Sequence, residues 1–452
     1  MERRNRWAMV ALIIAGLAGS LLAYDWGWPA DPRQLTTTPD NSLLPTYGCG
    51  FANMTSRMHV VFADKQGTAR IVYYIRSSDH GVTWQSPVMI DERSGNYTFS
   101  IAADSMGNVH FVNRRFSDNG LYYRRSVDTG ATWQAATQIA TQTDNIVLLT
   151  NHSQNVYIVS VIPGEPSYAE LYKSTSGGAD WVGPISIGSA RAYGGLRGCI
   201  TESGTINLFY AWGIQSGDAK VYQVRSTDDG ESWSPEVQVP GVPQNSSSEG
   251  AWSSGNTVFL ATSTFGNPAN FRRSTNGGVA WQSAQTLAFM AKSVVWTSDG
   301  TAHVVCTRND TAVVWMKSTN GGASWTAPRS ISGSESGTRS TPYIGTDDEF
   351  KLNAIWSSLE SGNGEIFTAY GDTTLGIAEP GAGARVLPRL SVTPNPARGI
   401  VRLAGVSGAE VFDRDGRTVA DLAEGANDVS RLEAGVYFVR SGNAVTRFVK
   451  LR

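Results

Sequence analysis

The sequence predicts an all-β protein built from a repeated four-stranded unit. One turn sequence, of the form Ser-x-Asp-x-Gly-x-Thr-Trp, recurs with small changes through most of the chain. Its copies begin at Ser77, Ser126, Ser174, Ser226, Ser274 and Ser318, so the intervals are 44 to 52 residues. A regular interval of that length is typical of a fold assembled from one repeated unit. The composition agrees, since 48 glycines, 16 tyrosines and 14 tryptophans accompany only 17% charged residues.

The N-terminal residues have the pattern of an export signal. Three arginines precede an uncharged apolar run from Trp7 to about Ala23, and polar residues follow. This is the arrangement of a secretory signal peptide, so we predict a signal peptide over residues 1–23 and export of the remainder. A membrane anchor is the alternative, because the apolar run is at the lower limit of the length that spans a bilayer.

Charge and cysteine content exclude several kinds of site. The formal net charge of −2 offers no general attraction for nucleic acid. The three cysteines have neither the number nor the spacing of a disulfide framework or a metal cluster; they are Cys49, Cys199 and Cys306. We therefore expect buried thiols, and neither a metal nor a cofactor.

Each repeat unit contains four strands, which we name A to D in chain order. In the second unit, apolar or aromatic runs at 99–104, 109–112, 121–125 and 138–140 are separated by Gly, Asn, Asp and Ser. This is the pattern of strands joined by turns, and the recurring turn joins strand C to strand D. A histidine begins strand B in three different units, which indicates a structural role and not a metal site; these residues are His59, His110 and His303.

The recurring turn, called the box turn below, depends on three of its positions. Its glycine, such as Gly130, supplies a position where a positive φ costs little. Two residues earlier, a short side-chain oxygen can accept hydrogen bonds from backbone N–H groups. This position holds Asp79, Asp128, Ser176, Asp228, Asn276 and Asn320. Replacement of Asp by Ser or Asn indicates that an acceptor is needed there and not a charge, and the final tryptophan is expected to pack between strands.

The six box turns resemble the Asp-box, or bacterial neuraminidase repeat. The resemblance implies a sialidase-like β-propeller with the box turns on the rim opposite the ligand-binding face. Sialidases carry this repeat, and so do xyloglucan-degrading enzymes, photosystem assembly factors and sorting receptors. The resemblance therefore implies a fold more than an activity.

We predict seven blades between residues 34 and 372, with six blades as the alternative. After the sixth box turn, a D strand at 329–331 is followed by runs at 341–345, 351–356 and 365–370 that have no box turn after them. These runs are interpreted as strands A, B and C of a further blade. Residues 34–37 lie where a D strand is needed to complete it, and a ring closed in this way protects its sheet edges.

The composition changes after residue 372, which indicates a second domain. Residues 373–388 are rich in Gly, Ala and Pro and predict a linker. Residues 389–452 contain short strands, an Asp-Gly turn at 415–416 and a Gly before an aromatic strand. These features predict a small Ig-like β-sandwich.

The C-terminal segment also resembles a sorting domain. It contains Pro-Asn-Pro at 394–396 and Gly-Val-Tyr-Phe at 435–438, and these motifs resemble the C-terminal sorting domain of the type IX secretion system. The resemblance implies that the secretion machinery is a partner and that the protein crosses the outer membrane of a Gram-negative bacterium. It also implies that the domain is removed and that the protein is then released or attached to the surface.

The predicted binding site lies in the loops at the end of the propeller opposite the box turns. If the box turns join C to D at one end, the D–A and B–C loops share the other end, around the channel mouth, where pockets are common. Aromatic and guanidinium groups there can stack on sugar rings and hold carboxylates. The candidate ligand-binding residues are Arg114, Arg115, Tyr193, Arg197, Trp212, Glu249, Lys292 and Arg339.

The sequence favours binding over catalysis. A sialidase resemblance implies three arginines for the sialate carboxylate, a tyrosine nucleophile with a glutamate, and an aspartate as acid/base. The family's Arg-Ile-Pro motif is absent, since the corresponding strand reads Tyr-Gly-Cys-Gly-Phe-Ala at 47–52. Another glycosidase would need two carboxylates about 5–10 Å apart. We therefore predict a secreted or cell-surface monomer that binds a glycan or protein ligand, with a glycoside hydrolase and a structural envelope scaffold as alternatives.

Overall fold

The computed structural model describes residues 28, 32–37, 41–45, 49–54, 56–66, 69–92, 94–151, 153–164, 167–188, 194–212, 219–264, 270–297, 299–308, 311–332, 342–346, 352–358, 364–371, 391–393, 397, 399–413, 417–441 and 444–451. The predicted signal peptide and the predicted linker lie outside the described residues. Within those residues, no helix is long and apolar enough to cross a membrane. The chain divides into two compact units between residues 377 and 378.

The first unit consists of antiparallel sheets that follow one another along the chain. After β1 (Arg33–Gln34), a sheet contains β2 (Ser42–Leu43), β3 (Phe51–Met54), β4 (Arg57–Gln66), β5 (Ala69–Ser77) and β6 (Val88–Asp91). The next contains β7 (Ser94–Ala103), β8 (Val109–Arg115), β9 (Leu121–Ser126) and β10 (Thr137–Ala140). It is followed by β11 (Asn145–Thr150), β12 (Val156–Ile162), β13 (Tyr168–Ser174) and β14 (Val182–Ser186).

The remaining sheets repeat the same strand order. They contain β15 (Gly194–Ile200), β16 (Ile206–Trp212), β17 (Lys220–Ser226) and β18 (Val237–Gln238), then β19 (Ser246–Ser254), β20 (Thr257–Thr264), β21 (Asn270–Ser274) and β22 (Gln285–Thr286). After them come β23 (Met290–Trp296), β24 (Ala302–Arg308), β25 (Ala312–Ser318) and β26 (Arg329–Ser330), and finally β27 (Tyr343–Thr346), β28 (Leu352–Ser358) and β29 (Glu365–Gly371).

The N-terminal strand completes the last of these sheets. Strand β1 pairs with β29, with Arg33 opposite Thr368 and Gln34 opposite Phe367. The backbone N–H of Leu35 continues the pairing by donating to the carbonyl of Ile366. This confirms the prediction that a segment near residue 34 supplies the fourth strand.

The sheets of the first unit are consistent with a β-propeller. Each inner strand contacts the inner strand of the next sheet, and the last contacts the first. In chain order, the inner strands are β3, β7, β11, β15, β19, β23 and β27. The apolar core is divided accordingly into clusters between neighbouring sheets; one of them joins Val159 and Leu171 to Leu196 and Leu208. Stability therefore comes from packing between successive sheets.

The box turns hold themselves together by local hydrogen bonds. The Ser126 hydroxyl accepts from the N–H of Gly130 at 2.8 Å, and the Asp128 carboxylate accepts from the N–H of Thr132 at 2.9 Å. In other copies, Ser176 and Asn276 accept the equivalent backbone bond, also at 2.9 Å. These bonds confirm that the position supplies an acceptor and does not require a charge.

Each box turn also packs against the preceding sheet. Gly130 has a φ of +83°, and its Cα lies so close to Tyr74 of the preceding sheet that a Cβ would be 1.9 Å from the tyrosine hydroxyl. The Trp133 ring meets Tyr74 edge to face, with ring centroids 5.1 Å apart. The glycine is therefore required by both its conformation and its contact.

A cation precedes the serine of every box turn, and several of these cations hold the next turn along the ring. Arg76 donates to the carbonyl of Thr129 at 2.8 Å, and Arg125 donates to that of Gly177 at 3.0 Å. In the closing strand, Arg33 donates in the same way to the carbonyl of Val82, at 2.6 Å. This set of bonds between neighbouring sheets, called the clasp below, was not predicted.

The three strand-B histidines are buried and structural, as predicted. His59 and His110 share hydrogen bonds of 2.6 and 2.7 Å with the hydroxyls of Tyr74 and Tyr123, respectively. His303 accepts from the Trp315 indole at 3.3 Å. Among the described residues, no group of three or more His, Cys, Asp or Glu side chains could hold a metal ion.

The second unit contains one five-stranded antiparallel sheet within its described residues. Its strands are β30 (Ser391–Thr393), β31 (Ile400–Phe412), β32 (Thr418–Asp428), β33 (Gly435–Ser441) and β34 (Ala444–Lys450). Its core includes Val411, Tyr437, Val439 and Phe448. The Ig-like two-layer arrangement stays a prediction.

Candidate functional site

A cavity of about 660 Å³ lies inside the ring of inner strands. Each of the seven inner strands contributes to its wall, through residues that include Phe51, Ser100, Leu148, Arg197, Glu249, Lys292 and Tyr343. A second cavity, of about 490 Å³, adjoins it and shares Ala103, Thr150 and Ile200 with it. The larger volume is within the range of ordinary ligand pockets.

The two ends of the larger cavity can be told apart by the box turns. The N–H of His80, in the first box turn, donates to the carbonyl of Ser56, in the turn between strands A and B, at 2.8 Å. The A–B turns and the box turns therefore share one end. Lys292 and Tyr343 belong to the first residues of their strands, which places them at the opposite end. We call this end the channel mouth.

Side chains enter the channel mouth where inner strands contain β-bulges. An inner strand is paired on one side only, so its edge faces the cavity while its regular side chains point to the neighbouring sheets. In β19, Ser248 pairs with Thr262 and Gly250 with Ala261, which leaves Glu249 as the extra residue. A bulge of this kind changes the direction in which a side chain points.

The neighbouring inner strands are irregular at the same level. In β23 the register shifts between Ala291 and Ser293, which leaves Lys292 as the extra residue. In β15 the shift lies between Gly194 and Arg197. Three successive sheets thus each contain a bulge beside one of the predicted site residues.

The bulge in β15 depends on a glycine. Gly195 has a φ of +65°, and a Cβ there would lie 2.8 Å from the backbone oxygen of Ser248 in the next inner strand. The Ser248 hydroxyl in turn donates to the carbonyl of Gly195. This close approach holds the β15 and β19 bulges side by side.

Arg197, Glu249 and Lys292 form a connected row at the channel mouth. The Lys292 Nζ donates to Glu249 Oε2 at 3.2 Å, and Arg197 Nε donates to the backbone oxygen of Glu249 at 2.9 Å. The side chains of Lys292 and Glu249 are 17% and 16% exposed. They are therefore mostly enclosed but still reachable from the cavity.

The carboxylate of Glu249 is fixed from several directions. Its Oε1 accepts from the hydroxyls of Ser247 at 2.7 Å and Ser263 at 2.6 Å. Burial raises the pKa of Glu249, but the Lys292 charge and the two hydroxyls lower it more, so the pKa lies below its usual range. The group is therefore ionised at neutral pH and is not suited to act as a general acid.

Two further groups of the channel wall, Cys49 and Tyr343, were not predicted as site residues. Cys49 lines the cavity, and burial raises the pKa of its thiol to about 11, so it is protonated at neutral pH. Tyr343 is buried in the wall, and burial raises its pKa as well. Neither group is a ready nucleophile.

The other predicted site residues do not join this row. Arg115 donates from Nε and Nη2 to one oxygen, Oδ1, of the buried Asp91, at 3.1 and 2.7 Å, and its guanidinium lies over the Tyr122 ring. The Nη2 atom of Arg114 lies 3.7 Å from Oδ1 of Asp144. Arg114, Arg115 and Trp212 are not among the described residues that line the cavity.

Trp212 packs in the protein instead of lining the channel. It contacts the core cluster between the third and fourth sheets and lies against Tyr222, with ring centroids 6.1 Å apart. Tyr193 and Arg339 lie outside the described residues. The structure therefore brings together three of the eight predicted residues, Arg197, Glu249 and Lys292.

Few charged side chains are among the described residues that line the larger cavity. They contribute one carboxylate, Glu249, and one guanidinium, Arg197. A retaining or inverting glycosidase uses two carboxyl groups. What this part of the chain does provide is a pair of cations separated by an ionised carboxylate.

Comparison with known proteins identifies the fold. No protein-family model and no curated relative matches the chain. A PL25 ulvan lyase bound to a GlcA(1-4)Rha3S saccharide is similar with a TM-score of 0.54 and 12% identity, over 74% of this chain and 95% of that one. The polysaccharide lyase Uly1 is similar with a TM-score of 0.51 and 12% identity, over 78% and 94%.

A third similar structure is PorZ, a surface component of the type IX secretion system of Porphyromonas gingivalis. Its TM-score is 0.49 at 12% identity, over 93% of this chain and 61% of that one. At these identities the likeness concerns the fold alone. The fold of the first unit thus recurs in polysaccharide lyases.

Proposed function

We propose that this chain is an exported seven-bladed β-propeller that binds a glycan at the channel mouth without acting on it. The blade number is supported by the seven inner strands that contact one another in turn. It is supported also by the pairing of β1 with β29, which completes the last sheet. A glycan ligand accords with a fold that recurs in two polysaccharide lyases.

The convergence of three bulged strands is the observation that carries this proposal. Bulges are features that re-aim side chains and are frequent beside functional sites. Here Glu249 and Lys292 are themselves the extra residues of two bulges, Arg197 follows a third, and all three line one cavity. Charged groups are costly to enclose unless they are paired and hydrogen-bonded, and within this row Arg197 and Lys292 both bond to Glu249.

We propose that the glycan is not cleaved because of the chemistry of the described residues that line the larger cavity. Its carboxylate is already held by Lys292, Ser247 and Ser263, and the pKa of that carboxylate is low. No second carboxylate lines this cavity in the part of the chain that the structure describes. A binding site needs only fixed donors and acceptors, and the row supplies them.

Binding and turnover are separated by one paired experiment. The full chain is applied to a glycan array and, in parallel, incubated with fluorogenic sialosides, aryl glycosides and uronate-containing polysaccharides. Retention on a defined glycan class with no product formation supports the proposal. Release of aglycone or of unsaturated uronate would replace it with a hydrolase or a lyase, and no retention on any glycan would refute it.

The ends of the chain are proposed to direct export. In this proposal residues 1–23 are a signal peptide, 34–372 the propeller, 373–388 a linker and 389–452 a type IX sorting domain, and the mature protein is released or attached to the cell surface. Mass spectrometry of the secreted protein tests this assignment. A mature chain that lacks both 1–23 and 389–452 supports it, and a secreted chain that retains residues 389–452 contradicts it.

A further inference from the structure

The charge of the channel mouth indicates the class of glycan. Among the described residues that line the larger cavity, the charged side chains are Arg197, Glu249 and Lys292. They add to one net positive charge, because two cations face one carboxylate. In a partly enclosed site such a charge is screened less than at an open surface.

The hydrogen bonds show which of these groups has capacity left for a ligand. Glu249 accepts from two hydroxyls on Oε1 and from Lys292 on Oε2. Its role is therefore to hold Lys292 in place, and few of its lone pairs are left for sugar hydroxyls.

The two cations are less fully used within the described chain. Arg197 spends two of its five N–H donors on backbone oxygens, those of Glu249 and Leu196. Lys292 spends one of its three on Glu249. The remaining donors belong to charged groups, which favour anionic acceptors over neutral ones.

We infer that the glycan bound at the channel mouth carries an acidic group, a carboxylate or a sulfate, and that Arg197 and Lys292 hold it. This inference rests on the proposed function, since it specifies the ligand of the same site. Glu249 sets the spacing of the two cations and lowers their combined charge. A neutral glycan would leave charged donors without a matching acceptor.

The test compares each acidic glycan with its neutral counterpart on the full chain. Oligogalacturonate is paired with its methyl ester, and dextran sulfate with dextran, so the two arms distinguish a carboxylate from a sulfate. By calorimetric titration, at least one acidic member should bind tenfold or more tightly than its neutral partner. Added salt should weaken that binding, because screening acts on charge.

Substitutions then assign the effect to the cations. Lys292→Met should weaken binding of the acidic glycan about ten- to hundredfold, the usual range for losing a charge-assisted hydrogen bond, and Lys292→Arg should restore most of it. Arg197→Gln serves as a second variant, should Lys292→Met fail to fold. Glu249→Gln should weaken acidic binding less than Lys292→Met does, because it loosens the group that positions Lys292 but leaves both cations in the wall.

The outcomes separate the inference from the proposed function. Equal binding of acidic and neutral partners, unchanged by Lys292→Met and Arg197→Gln, overturns the inference while glycan binding itself stands. A loss of acidic binding in Glu249→Gln greater than in Lys292→Met also overturns it, because the carboxylate would then be the ligand group. Binding of neither member of either pair refutes both proposals.

Discussion

Replacement of Gly130 by alanine probes how the sheets are held together. Gly130 lies in the second box turn with a φ of +83°. A Cβ at this position would lie 1.9 Å from the hydroxyl of Tyr74, which belongs to the preceding sheet. Gly130→Ala therefore forces Tyr74 to move away, and this hydroxyl is bonded to the buried His59 at 2.6 Å.

The cost of this substitution has two parts. Placing a residue that has a Cβ in the left-handed region costs about 1–2 kcal/mol of folding free energy. Displacing the tyrosine leaves the buried His59 nitrogen without its partner, which costs about 1–3 kcal/mol more. We therefore expect Gly130→Ala to lower the free energy of unfolding by about 2–5 kcal/mol.

Gly204→Ala is the matched control for backbone strain. Gly204 has nearly the same φ, +84°, and nothing lies within 4 Å of where its Cβ would be. Its substitution should therefore show only the strain, about 1–2 kcal/mol. The assay is chemical denaturation followed by tryptophan fluorescence and circular dichroism. Equal destabilisation by the two substitutions would refute the account of the box glycine as a contact between sheets.

Two other predictions concern the same unit. Arg125→Met removes the clasp to the Gly177 carbonyl and a 2.8 Å bond to Gln134, so it should lower the free energy of unfolding by about 1–2 kcal/mol. Substitution of the exposed Lys65 by Met is the control. An equal loss of stability in both variants would contradict a stabilising role for the clasp. Burial lowers the pKa of His59 and His303 to about 3, whereas in the unfolded chain it is about 6.5. The unfolded chain therefore binds more protons between about pH 6.5 and pH 3, so stability is complete above pH 6.5 and is lost on acidification, by up to about 1.4 kcal/mol per pH unit for each histidine. Urea titrations across this range test the slope, and a stability independent of pH would show that these histidines are accessible to protons in the folded state.

The fold could be predicted because its signals are local and repeated. Six box turns share a glycine and an acceptor at fixed spacing, and the bonds within each turn span only four residues, as in Ser126 to Gly130. The cations of the clasp are visible in the repeated sequence, because a cation stands immediately before every box serine. The role of these cations could not be predicted, because those that form the clasp bond to a carbonyl about fifty residues away, as Arg125 does to Gly177.

The candidate site was only partly predictable. Topology correctly placed Arg197, Glu249 and Lys292 at one end, because equivalent positions in successive sheets lie at the same level. It could not reveal the bulges, since one extra residue in β19 or β23 leaves no local pattern in the sequence.

The predicted arginine pair illustrates the opposite error. The sequence predicts a loop for Arg115, but this residue ends β8, and its partner Asp91 is buried in the preceding sheet. A carboxylate 24 residues away is not recognisable as a partner before the sheets are assembled. Arg115 therefore connects two sheets.

The most direct test of glycan binding at the channel mouth is to block the mouth. Lys292→Trp places an indole among the bulged strands, and Lys65→Trp places the same group at an exposed residue of β4 that does not line the cavity. The affinity of both variants for the glycan retained by the native chain is measured by calorimetric titration. The account predicts that Lys292→Trp loses this affinity and that Lys65→Trp keeps it. Unchanged affinity in Lys292→Trp, with the fold intact by circular dichroism, would contradict it.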